Sequence, residues 1–485
     1  MTSTAPTHEA RSATHNYEAV VGLECHVQLA TSSKMFCGCP SDYAGAPPNT
    51  RVCPICFGMP GVLPVINRQA VEYTLLTGLA LNAEIPEATK FDRKNYPYPD
   101  LVKGYQISQY DLPLVKGGWL EITTTETGTR KIRLERVHLE EDTGKLTHVP
   151  GGSLVDYNRS GVPLMEMVSQ PDLRTPSEAR AYLRKLRAIL RTLGVSDADM
   201  EKGQLRCDVN VSLRPVGEER FGTKVEIKNL NSFRAVERAL EYEIVRQSEA
   251  LERGERIEQE TRGWVEERGQ TVSQRSKEAA HDYRYFPEPD LPPLFVERAW
   301  LDELRAKLPE LPDARRLRYI QAFGLGAYDA ELLSTDTASA ELFEATVAAG
   351  ADAKKAANWL LNDVARLRRD MPLDGATVAP RLAALLGLVD SAEINIAAAR
   401  QILPRVLQGE DPRAVVTAEG LAQVSDASAL ESAVRQAIEA NPAAVADYKS
   451  GKATAINFLK GQVMKATRGK ANPAVAEDLL KQLLA

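Results

Sequence analysis

The chain has 485 residues, of which 44% are hydrophobic and 26% charged, and its formal net charge is −6. This length exceeds what one ordinary hydrophobic core supports and predicts two or three domains. No apolar run approaches the ~18 residues that span a bilayer, and the N-terminus lacks the apolar core of a secretory signal, so we expect a cytoplasmic protein and exclude a membrane protein. Because the chain is acidic overall, a nucleic acid would have to bind local basic patches.

Residues 1–16 are rich in Thr, Ser and Ala and are expected to form a disordered tail. The first predicted strand follows over residues 21–29, where apolar residues or cysteine alternate with polar residues. Because successive side chains of a strand point to opposite faces, Glu24, His26 and Gln28 share one face. A solvated sheet face would give the same alternation.

Four of the six cysteines form two close pairs, Cys37 with Cys39 and Cys53 with Cys56. Disulfides need an oxidising compartment, whereas this spacing suits four thiolates that bind one zinc ion tetrahedrally. The segment between the pairs is rich in Pro, Gly, Ser and Asn, which is typical of a knuckle loop. Such a closed site leaves no position for substrate, so the zinc would be structural. Reduced, metal-free thiols are the alternative.

Carboxylates concentrate in the run Glu140-Glu141-Asp142, shortly after His138. Such a run is usually an exposed turn, but carboxylates also bind Mg²⁺, which would suit a nucleotide site. Glu166 lies inside an otherwise apolar predicted strand, where a charge is costly unless it is paired or bound to a metal. These carboxylates are therefore candidate ligands of a metal ion.

The segment Thr175-Pro-Ser-Glu178 is typical of a helix capping box with Pro at the first helical position. Apolar residues then recur at helical spacing up to Leu193, and Gly194 is a suitable stop. The sequence therefore predicts a helix between these two signals. A second helix is expected to follow Ser232.

Two later stretches alternate polar and apolar residues in the manner of the first strand. The polar face of one carries Arg206, Asp208 and Asn210, and that of the other carries Lys228. Any one such face is most simply a solvated surface, but three of them together are harder to explain in that way. A polar sheet surface of this kind would hold oxygen ligands for a metal ion beside cations suited to phosphate.

Beyond residue 294 the composition changes, because Ala, Leu, Glu and Arg dominate and helical periodicity prevails. We expect a β-rich domain over residues 17–294, a helical domain over residues 295–408 and a C-terminal helical domain over residues 409–485. In the last of these, residues 449–476 contain no Asp or Glu. The basic residues there include Lys452, Lys460, Lys465, Arg468 and Lys470. A solvated helix with a chance charge bias is the alternative to a binding surface.

The residues alone thus predict a zinc-stapled β-rich domain with a Mg²⁺ and phosphate site, followed by helices. No Gly-x-Ser-x-Gly or other serine-nucleophile signature occurs, so a covalent hydrolase is not expected. The pattern fits an ATP-using enzyme. It also fits a zinc-stabilised RNA-binding scaffold.

Several long motifs, in order along the chain, resemble the B subunit of the glutamine-dependent aspartyl/glutamyl-tRNA amidotransferases. The matching segments are residues 22–29, the cysteine pairs, and residues 91–96, 104–109, 138–142, 156–163, 205–208, 226–234 and 282–291. The resemblance covers nearly the whole chain and is weaker in the tail. Cys25, Pro97 and Val102 depart from the family pattern. Cys25 lies on the apolar face of its strand, so it leaves the polar face undisturbed.

The resemblance implies a reaction in which ATP phosphorylates the side-chain carboxylate of Asp or Glu misattached to tRNA(Asn) or tRNA(Gln). Ammonia from glutamine then displaces phosphate to give the amide. The implied partners in a heterotrimer are the glutaminase or A subunit, which releases the ammonia, and the C subunit, and a nondiscriminating aminoacyl-tRNA synthetase is a further candidate. ATP, Mg²⁺ and structural Zn²⁺ are the implied cofactors. The implied fold is α+β, with an antiparallel β-rich cradle that carries the zinc knuckle, an all-α domain and a small helical tail.

The Mg²⁺ ligands expected from the resemblance are His26, Glu141 and Glu166, with Glu24 and Glu140 as neighbours. Strict alternation instead puts Glu140 on the face of His138, so the choice of Glu141 requires a β-bulge, which the apolar pattern allows between residues 134 and 137. A second set is expected to contact ATP or the 3′ end of tRNA: Arg159, Arg206 and Lys228, held by Asp208 and Asn210. Structural ion pairs are the alternative for each of these.

The basic residues of the C-terminal domain are expected to bind the body of the tRNA. Two hypotheses follow for the whole chain. One is a catalytic component that activates the carboxylate and forms the amide. The other is a noncatalytic, zinc-stabilised tRNA-binding scaffold whose carboxylates are structural.

Overall fold

The computed structural model describes residues 16–276, 283–368, 374–424, 426–467 and 469–484. Of the predicted N-terminal tail, only Asn16 belongs to this part of the chain. The chain divides into two compact units, Met1–Leu311 and Pro312–Ala485. The three-domain division expected from the sequence stays a prediction.

The first unit is rich in strands. Its strands are β1 (Tyr17–Gln28), β2 (Ala88–Thr89), β3 (Asp92–Asn95), β4 (Tyr105–Ser108), β5 (Val115–Lys116), β6 (Trp119–Thr124), β7 (Gly128–Glu141), β8 (Lys145–Val149), β9 (Gly152–Asp156), β10 (Pro163–Ser169), β11 (Leu205–Pro215), β12 (Val225–Lys228), β13 (Glu260–Val265), β14 (Gln270–Ser276), β15 (Phe286–Pro287) and β16 (Leu294–Phe295). Its helices are α1 (Arg68–Ala80), α2 (Pro176–Thr192), α3 (Phe233–Glu252) and α4 (Arg298–Ala306). The unit is therefore of the α+β class.

The largest sheet has the strand order β14-β13-β12-β11-β1-β10-β7-β5, and β6 also pairs with β7. Its neighbouring strands are antiparallel except for β12 and β13, which run parallel. This pair corrects the expectation of an antiparallel sheet, because the sheet is mixed. The reason is the connection: α3 lies between β12 and β13 in the chain and returns it to the same end of the sheet.

Helices pack on one face of this sheet and form its hydrophobic core. On β1 the buried residues Leu23, Cys25 and Val27 alternate with partly exposed polar residues. Leu183 and Leu186 of α2 are completely buried in the same core. Because the apolar side chains occupy this face, the polar side chains of β1 point to the opposite face.

Both predicted helix starts are confirmed. The hydroxyl of Thr175 accepts a hydrogen bond from the Glu178 backbone N–H at 3.2 Å, and the Glu178 carboxylate accepts one from the Thr175 N–H at 3.3 Å, so α2 begins with a complete capping box. The α3 cap is Ser232, whose hydroxyl accepts from the N–H of Ala235. Glu178 is also fully buried and accepts a hydrogen bond from the Arg130 guanidinium at 2.8 Å. This contact ties the start of α2 to β7.

The second unit is built of helices, as the sequence predicts. They are α5 (Pro312–Phe323), α6 (Ala327–Thr335), α7 (Thr337–Ala348), α8 (Ala353–Trp359), a π-helical turn (Leu360–Val364), α9 (Ala365–Arg368), α10 (Gly375–Asp390), α11 (Ile396–Leu407), α12 (Pro412–Glu419), α13 (Ala427–Ala440), α14 (Pro442–Lys449), α15 (Ala455–Ala466) and α16 (Pro473–Leu484). One hydrophobic core lies within residues 319–421 and another within residues 424–484, so the last helices have a core of their own. Among the described residues, no helix has both the length and the apolar character needed to cross a membrane.

Replacing Glu178 by Ala should lower the free energy of unfolding of the first unit by about 2–3 kcal/mol, because buried donors around it lose their acceptor. Thr175→Ala should cost about 1 kcal/mol, since it removes one cap hydrogen bond. Urea denaturation followed by fluorescence measures both losses. The control is Thr129→Ala, which removes an exposed hydroxyl bonded to that of Thr123, away from the cap. Equal losses for the three variants would contradict the role given to Glu178.

Candidate functional site

Three ionisable side chains lie in a row across the centre of the large sheet. Strand β10 runs between β1 and β7, and Glu166 is directly opposite His26 on one side and His138 on the other. Directly opposed residues of antiparallel strands project to the same face. Glu24 and Glu140 lie two residues from these histidines along β1 and β7, so they share that face. We call these five residues the acid–histidine cluster.

The side chains of the cluster contact one another closely. Glu166 Oε2 lies 3.4 Å from both His26 Nε2 and His138 Nε2. Carboxylate oxygens of Glu140 lie 3.9 Å from His26 Nε2 and 3.8 Å from His138 Nε2, and Glu24 Oε1 lies 3.8 Å from His26 Nε2. The side chains of Glu140 and Glu166 are only 2% and 6% exposed. Carboxylates this far from water require charged partners, and the cluster supplies them.

The pKa shifts show which charges the cluster holds. Burial opposes protonation of His26, but the hydrogen bond and charge of Glu166, together with the neighbouring carboxylates, raise its pKa to about 9. Burial also opposes protonation of His138, and Glu166 and Glu140 raise its pKa to about 9. For Glu166 burial acts to raise the pKa, yet the two histidines hold it well below its ordinary value. Glu166 thus favours the protonated forms of both imidazoles, whereas burial and the charge of Glu166 raise the pKa of Glu24.

Glu141 does not join the cluster, contrary to the expectation from the sequence. The expected β-bulge exists, but it lies at Glu135, because Val168 pairs with Arg136 while the next residue pairs with Leu134. It therefore precedes His138 and leaves the alternation after that residue intact. Glu141 points to the other side of β7, where its carboxylate lies 2.5 Å from Lys103 Nζ and accepts the Ile107 N–H at 3.0 Å. Glu140 is the acid beside the histidines.

A second wall of the site comes from the small sheet β15-β3-β4 and contributes a lysine that the sequence interpretation missed. The charges of Glu140 and Glu166 raise the pKa of Lys94, although burial opposes this. From β4, the Ser108 hydroxyl donates to Glu140 at 3.2 Å. Lys94 lies within residues 91–96, one of the segments that resemble the amidotransferase B subunits, and this resemblance was the signal in the sequence that could have identified it. No alternation in that short segment identified it.

Among the predicted cations, Arg206 and Arg159 both surround Asp142. Arg206 Nη2 lies 2.8 Å from Asp142 Oδ2, which also accepts a hydrogen bond from Gln28 at 2.8 Å. Arg159 Nε lies 3.6 Å from the same oxygen, and its guanidinium donates to the carbonyl oxygens of Thr143 and Gly144 at 2.9 and 2.7 Å. Arg159 thus fixes a loop, whereas the Arg206 side chain remains 40% exposed.

The remaining predicted residues continue the polar face beyond β1. On β11, Arg206 is opposite His26 and Asp208 is opposite Glu24. Lys228 Nζ lies 2.5 Å from Asp208 Oδ2. Burial opposes protonation of Lys228, but Asp208 outweighs it and raises the pKa to about 12. The structure therefore brings the polar faces of β1, β11 and β12 together, as the alternation predicts.

Asn210 lies on the same face of β11, opposite Glu226 of β12. Its Oδ1 is buried and has no hydrogen-bond partner within the part of the chain that the structure describes. The side chain of Lys228, two residues from Glu226, is 39% exposed. This end of the polar face thus carries the acceptor Oδ1 of Asn210 and the solvent-accessible ammonium group of Lys228.

The acid–histidine cluster has the donor chemistry of a divalent-cation site. The ligand atoms of Glu24, His26 and Glu166 lie within 4.8 Å of one another. The same holds for the ligand atoms of His138, Glu140 and Glu166. Carboxylate oxygens are the protein ligands that Mg²⁺ prefers, whereas imidazole suits softer divalent ions. The buried Nδ1 of His138 has no hydrogen-bond partner among the described residues. The donor set therefore fits a metal ion that Glu166 holds together with Glu24 or Glu140.

The four predicted cysteines form a second cluster, with their sulfur atoms within 4.8 Å of one another. Cys56 Sγ lies 3.9 Å from the sulfur atoms of both Cys39 and Cys53. A hydrogen bond from Cys37, the Cys53 backbone N–H and the charge of Lys34 lower the pKa of Cys56 to about 4 against the effect of burial. Burial and neighbouring cysteines raise the pKa of Cys39, so the match to a closed zinc site rests on the four clustered sulfur donors.

Lys34 is a buried cation beside this cysteine cluster. Its side chain is nearly inaccessible to solvent, and its Nζ lies 3.6 Å from Cys56 Sγ and donates to the Arg51 carbonyl oxygen at 2.7 Å. A buried ammonium group is costly without an anionic partner. Its position is explained if the sulfur atoms carry negative charge, as they do when they bind zinc.

In the second unit, the predicted basic residues differ in their surroundings. Lys452 Nζ lies 3.1 Å from Asp447, and Lys460 Nζ lies 2.7 Å from Glu477. Lys465 and Lys470 are exposed, and neither has an acidic partner among the described residues. The remaining candidate, Arg468, lies outside the described residues.

Comparison with known proteins gives the family. Residues 19–302, more than half of the chain, match the GatB/GatE catalytic domain, and residues 341–484 match the GatB domain. The chain is 55% identical to the B subunit of the aspartyl/glutamyl-tRNA(Asn/Gln) amidotransferase of Moorella thermoacetica, over 96% of this chain and 100% of that protein. The chain belongs to the family of amidotransferase B subunits. It is also 52% identical to the corresponding protein of Carboxydothermus hydrogenoformans, over 97% and 99% of the two chains.

A third relative shows the same extent of similarity. The amidotransferase B subunit of Thermomicrobium roseum is 54% identical over 96% of this chain and 99% of its own. The acid–histidine cluster and the cysteine cluster both lie inside the segment that matches the GatB/GatE catalytic domain. A catalytic-domain match of this extent does not favour the hypothesis of a noncatalytic scaffold.

Proposed function

We propose that this chain is the B subunit of a tRNA-dependent amidotransferase in which ATP phosphorylates the side-chain carboxylate of misacylated Asp-tRNA(Asn) or Glu-tRNA(Gln). Ammonia derived from glutamine then attacks the acyl phosphate, phosphate leaves, and Asn-tRNA(Asn) or Gln-tRNA(Gln) results. The family membership supports this activity for the complex. The observation that supports phosphorylation on this chain is the acid–histidine cluster, which gathers three carboxylates and two imidazoles beside Lys94.

In this proposal Glu140 and Glu166 hold a Mg²⁺ ion and Glu24 is a neighbour, so Glu140 replaces Glu141 in the set expected from the sequence. When bound, the ion supplies positive charge that neutralises the transferring phosphoryl group. His26 and His138 hold the carboxylates in position through the contacts of 3.4 Å to Glu166. Ligation of the ion by His26, which the resemblance implies, stays a prediction.

The cations of the site have separate tasks in this proposal. Lys94 faces Glu140 and Glu166 from the second wall and contacts phosphoryl oxygens. Arg206 and Lys228 each form an ion pair with a buried or half-buried carboxylate, and the side chain of each is also partly exposed to solvent. They therefore bind ATP phosphates or the 3′ end of the tRNA. Arg159 positions the loop beyond Asp142 and does not bind substrate.

Glu140→Gln should abolish tRNA-dependent ATP hydrolysis by the assembled complex, as should Glu166→Gln, because each removes a negative charge from the cluster. Glu141→Gln is the matched control, since it is the same substitution one residue away on the other side of β7. It should keep most of the activity, although the weakened ion pair with Lys103 lowers the thermal midpoint. Full activity in Glu140→Gln, or loss only in Glu141→Gln, would refute the proposed ligand set.

The proposed partners are the A subunit, which releases ammonia from glutamine, and the C subunit. Outside the cysteine cluster, the described cysteines Cys25 and Cys207 are buried in the core and are not accessible to glutamine. The purified chain with ATP, glutamine and misacylated tRNA should therefore form no amide, whereas addition of these two partners should restore it. Ammonium salts should partly replace them. Amide formation from glutamine by the chain alone would refute the partner requirement.

The cysteine cluster is proposed to bind one structural zinc ion. Elemental analysis of protein purified without chelator should give one zinc per chain. Cys37→Ser or Cys56→Ser should lower the zinc content and the thermal midpoint, because a site with three thiolates binds the ion more weakly. Cys207→Ala, which removes a buried thiol elsewhere, should leave the zinc content unchanged. A wild-type content near zero would contradict the proposal.

The helices at the C-terminal end are proposed to bind the tRNA body. Phosphate contacts give affinity that falls with salt and carry no sequence information. The double variant Lys465→Glu and Lys470→Glu should raise the KM for tRNA and reduce the slope of its logarithmic salt dependence by about one for each phosphate-binding lysine replaced. Lys481→Glu, a charge reversal in the same unit at a lysine paired with Glu477, should change neither. Unchanged tRNA affinity at several salt concentrations would assign these lysines another role.

A further inference from the structure

Four tyrosines form a continuous row beside the acid–histidine cluster. The rings of Tyr110 and Tyr285 are stacked, with centroids 4.3 Å apart and planes inclined by 8°. Tyr283 packs edge-on against Tyr285 at 6.1 Å, and Tyr96 packs edge-on against Tyr283 at 5.7 Å. The row therefore joins four aromatic rings from different parts of the sequence.

The backbone around the row is held by specific hydrogen bonds. The Tyr110 N–H donates to Asp92 at 3.0 Å, which ties the backbone of Tyr110 to β3. Asn95, also on β3, donates through its backbone N–H to the Tyr283 carbonyl oxygen at 2.9 Å and through its side chain to the Arg284 carbonyl oxygen at 2.8 Å. The backbone segments that carry the rings are thus attached to the small sheet.

The two ends of the row differ in their environment. Tyr110 is 54% exposed, which is a large apolar area to leave in water. At the inner end, Lys94 Nζ lies 5.0 Å from the centroid of the Tyr283 ring and 6.0 Å from that of Tyr96. The small sheet that carries this lysine also contacts the cluster, because the Ser108 hydroxyl of β4 donates to Glu140 at 3.2 Å. The row thus leads from an exposed ring to the cation that faces the proposed phosphoryl-transfer site.

We propose that Tyr110, supported from behind by Tyr285, is a stacking platform for the adenine ring of a nucleotide that reaches the acid–histidine cluster. This inference rests on the proposed function and adds a base-binding subsite to it. Exposed aromatic rings beside cations bind bases through their π-faces without reading sequence. A flat ring offered to solvent, with its other face occupied by a second ring, has the geometry for one further stacked base.

Adenine could come from two sources, ATP or the 3′-terminal adenosine that carries the misattached amino acid. Both must bring a reacting group to the same cluster, so the subsite chemistry is shared. The two sources are separated by measuring the KM for ATP and the KM for misacylated tRNA independently in the assembled complex. A rise in one of them identifies the source of the stacked ring.

The test compares Tyr110→Ala, Tyr110→Phe and Tyr110→Leu in the full complex. Tyr110→Ala should raise one of the two KM values by about tenfold to a hundredfold, which is the range for loss of one stacked base. Tyr110→Phe should behave as the wild type because it keeps the ring. Tyr110→Leu keeps most of the side-chain volume without an aromatic face. It should raise the same KM value as Tyr110→Ala, also when Tyr110→Ala lowers the thermal midpoint.

Tyr98→Ala is the matched control, because Tyr98 is 53% exposed in the same unit and lies outside the row. It should leave both KM values unchanged. Unchanged KM values in Tyr110→Ala, or full retention of binding in Tyr110→Leu, would overturn the platform. These results are distinct from failure of the proposed function, which would show as absence of tRNA-dependent ATP hydrolysis in the wild-type complex.

Discussion

The charge balance around Glu166 is the constraint on which the rest of the first unit depends. A carboxylate that is 6% exposed in the middle of a sheet is unstable without opposite charges close to it. His26 and His138 supply them only because β1, β10 and β7 pair in one particular register. The helices on the apolar face hold this register, since a shift by one residue would move polar side chains into their core. The register that builds the core is therefore also the register that builds the site.

The cysteine cluster also supports the position of β10, through hydrogen bonds between its loop and the segment before that strand. Its loop is joined to the segment that leads into β10: the Met35 N–H donates to the Gly161 carbonyl oxygen at 2.7 Å, and the Arg51 N–H donates to Asn158 at 2.7 Å. The Ser160 hydroxyl donates to the Cys56 carbonyl oxygen at 3.4 Å. A metal ion held by the cysteines would thus stiffen the chain just before the strand that carries Glu166. The cysteine loop is thus linked by hydrogen bonds to residues 158–161, which directly precede β10.

The sequence predicted those parts of the site that depend on local periodicity. Alternation identified Glu24, His26 and Arg206 as members of polar faces, since strands repeat every two residues. The alternation after the β-bulge puts Glu140 on the face of His138, as the structure has it. The expectation of Glu141 came from the family resemblance and needed a bulge that shifted this alternation. Lys94 was missed because its approach depends on a separate small sheet, which has no local signature in the sequence.

The difference between local signals and long-range contacts also explains which parts of the fold the sequence predicted. Capping residues, helical spacing and cysteine spacing are local, and both helices and the clustering of the four cysteines are present. The parallel pairing of β12 with β13 depends on where the chain goes after β12, and the tyrosine row depends on which loops meet, so neither could be derived from periodicity. Long-range contacts of this kind require the topology to be known first.

The alternation of β1 also limits how this strand can change during evolution. Its odd-numbered residues 23, 25 and 27 belong to the core, and its even-numbered residues 24 and 26 belong to the acid–histidine cluster. Insertion of a single residue that the sheet did not absorb in a β-bulge would exchange the two sets, exposing the apolar side chains and burying the charged ones. Two inserted residues would preserve both faces downstream. Lengthening of this strand in related proteins is therefore expected to occur in steps of two residues or with a β-bulge like that at Glu135 of β7.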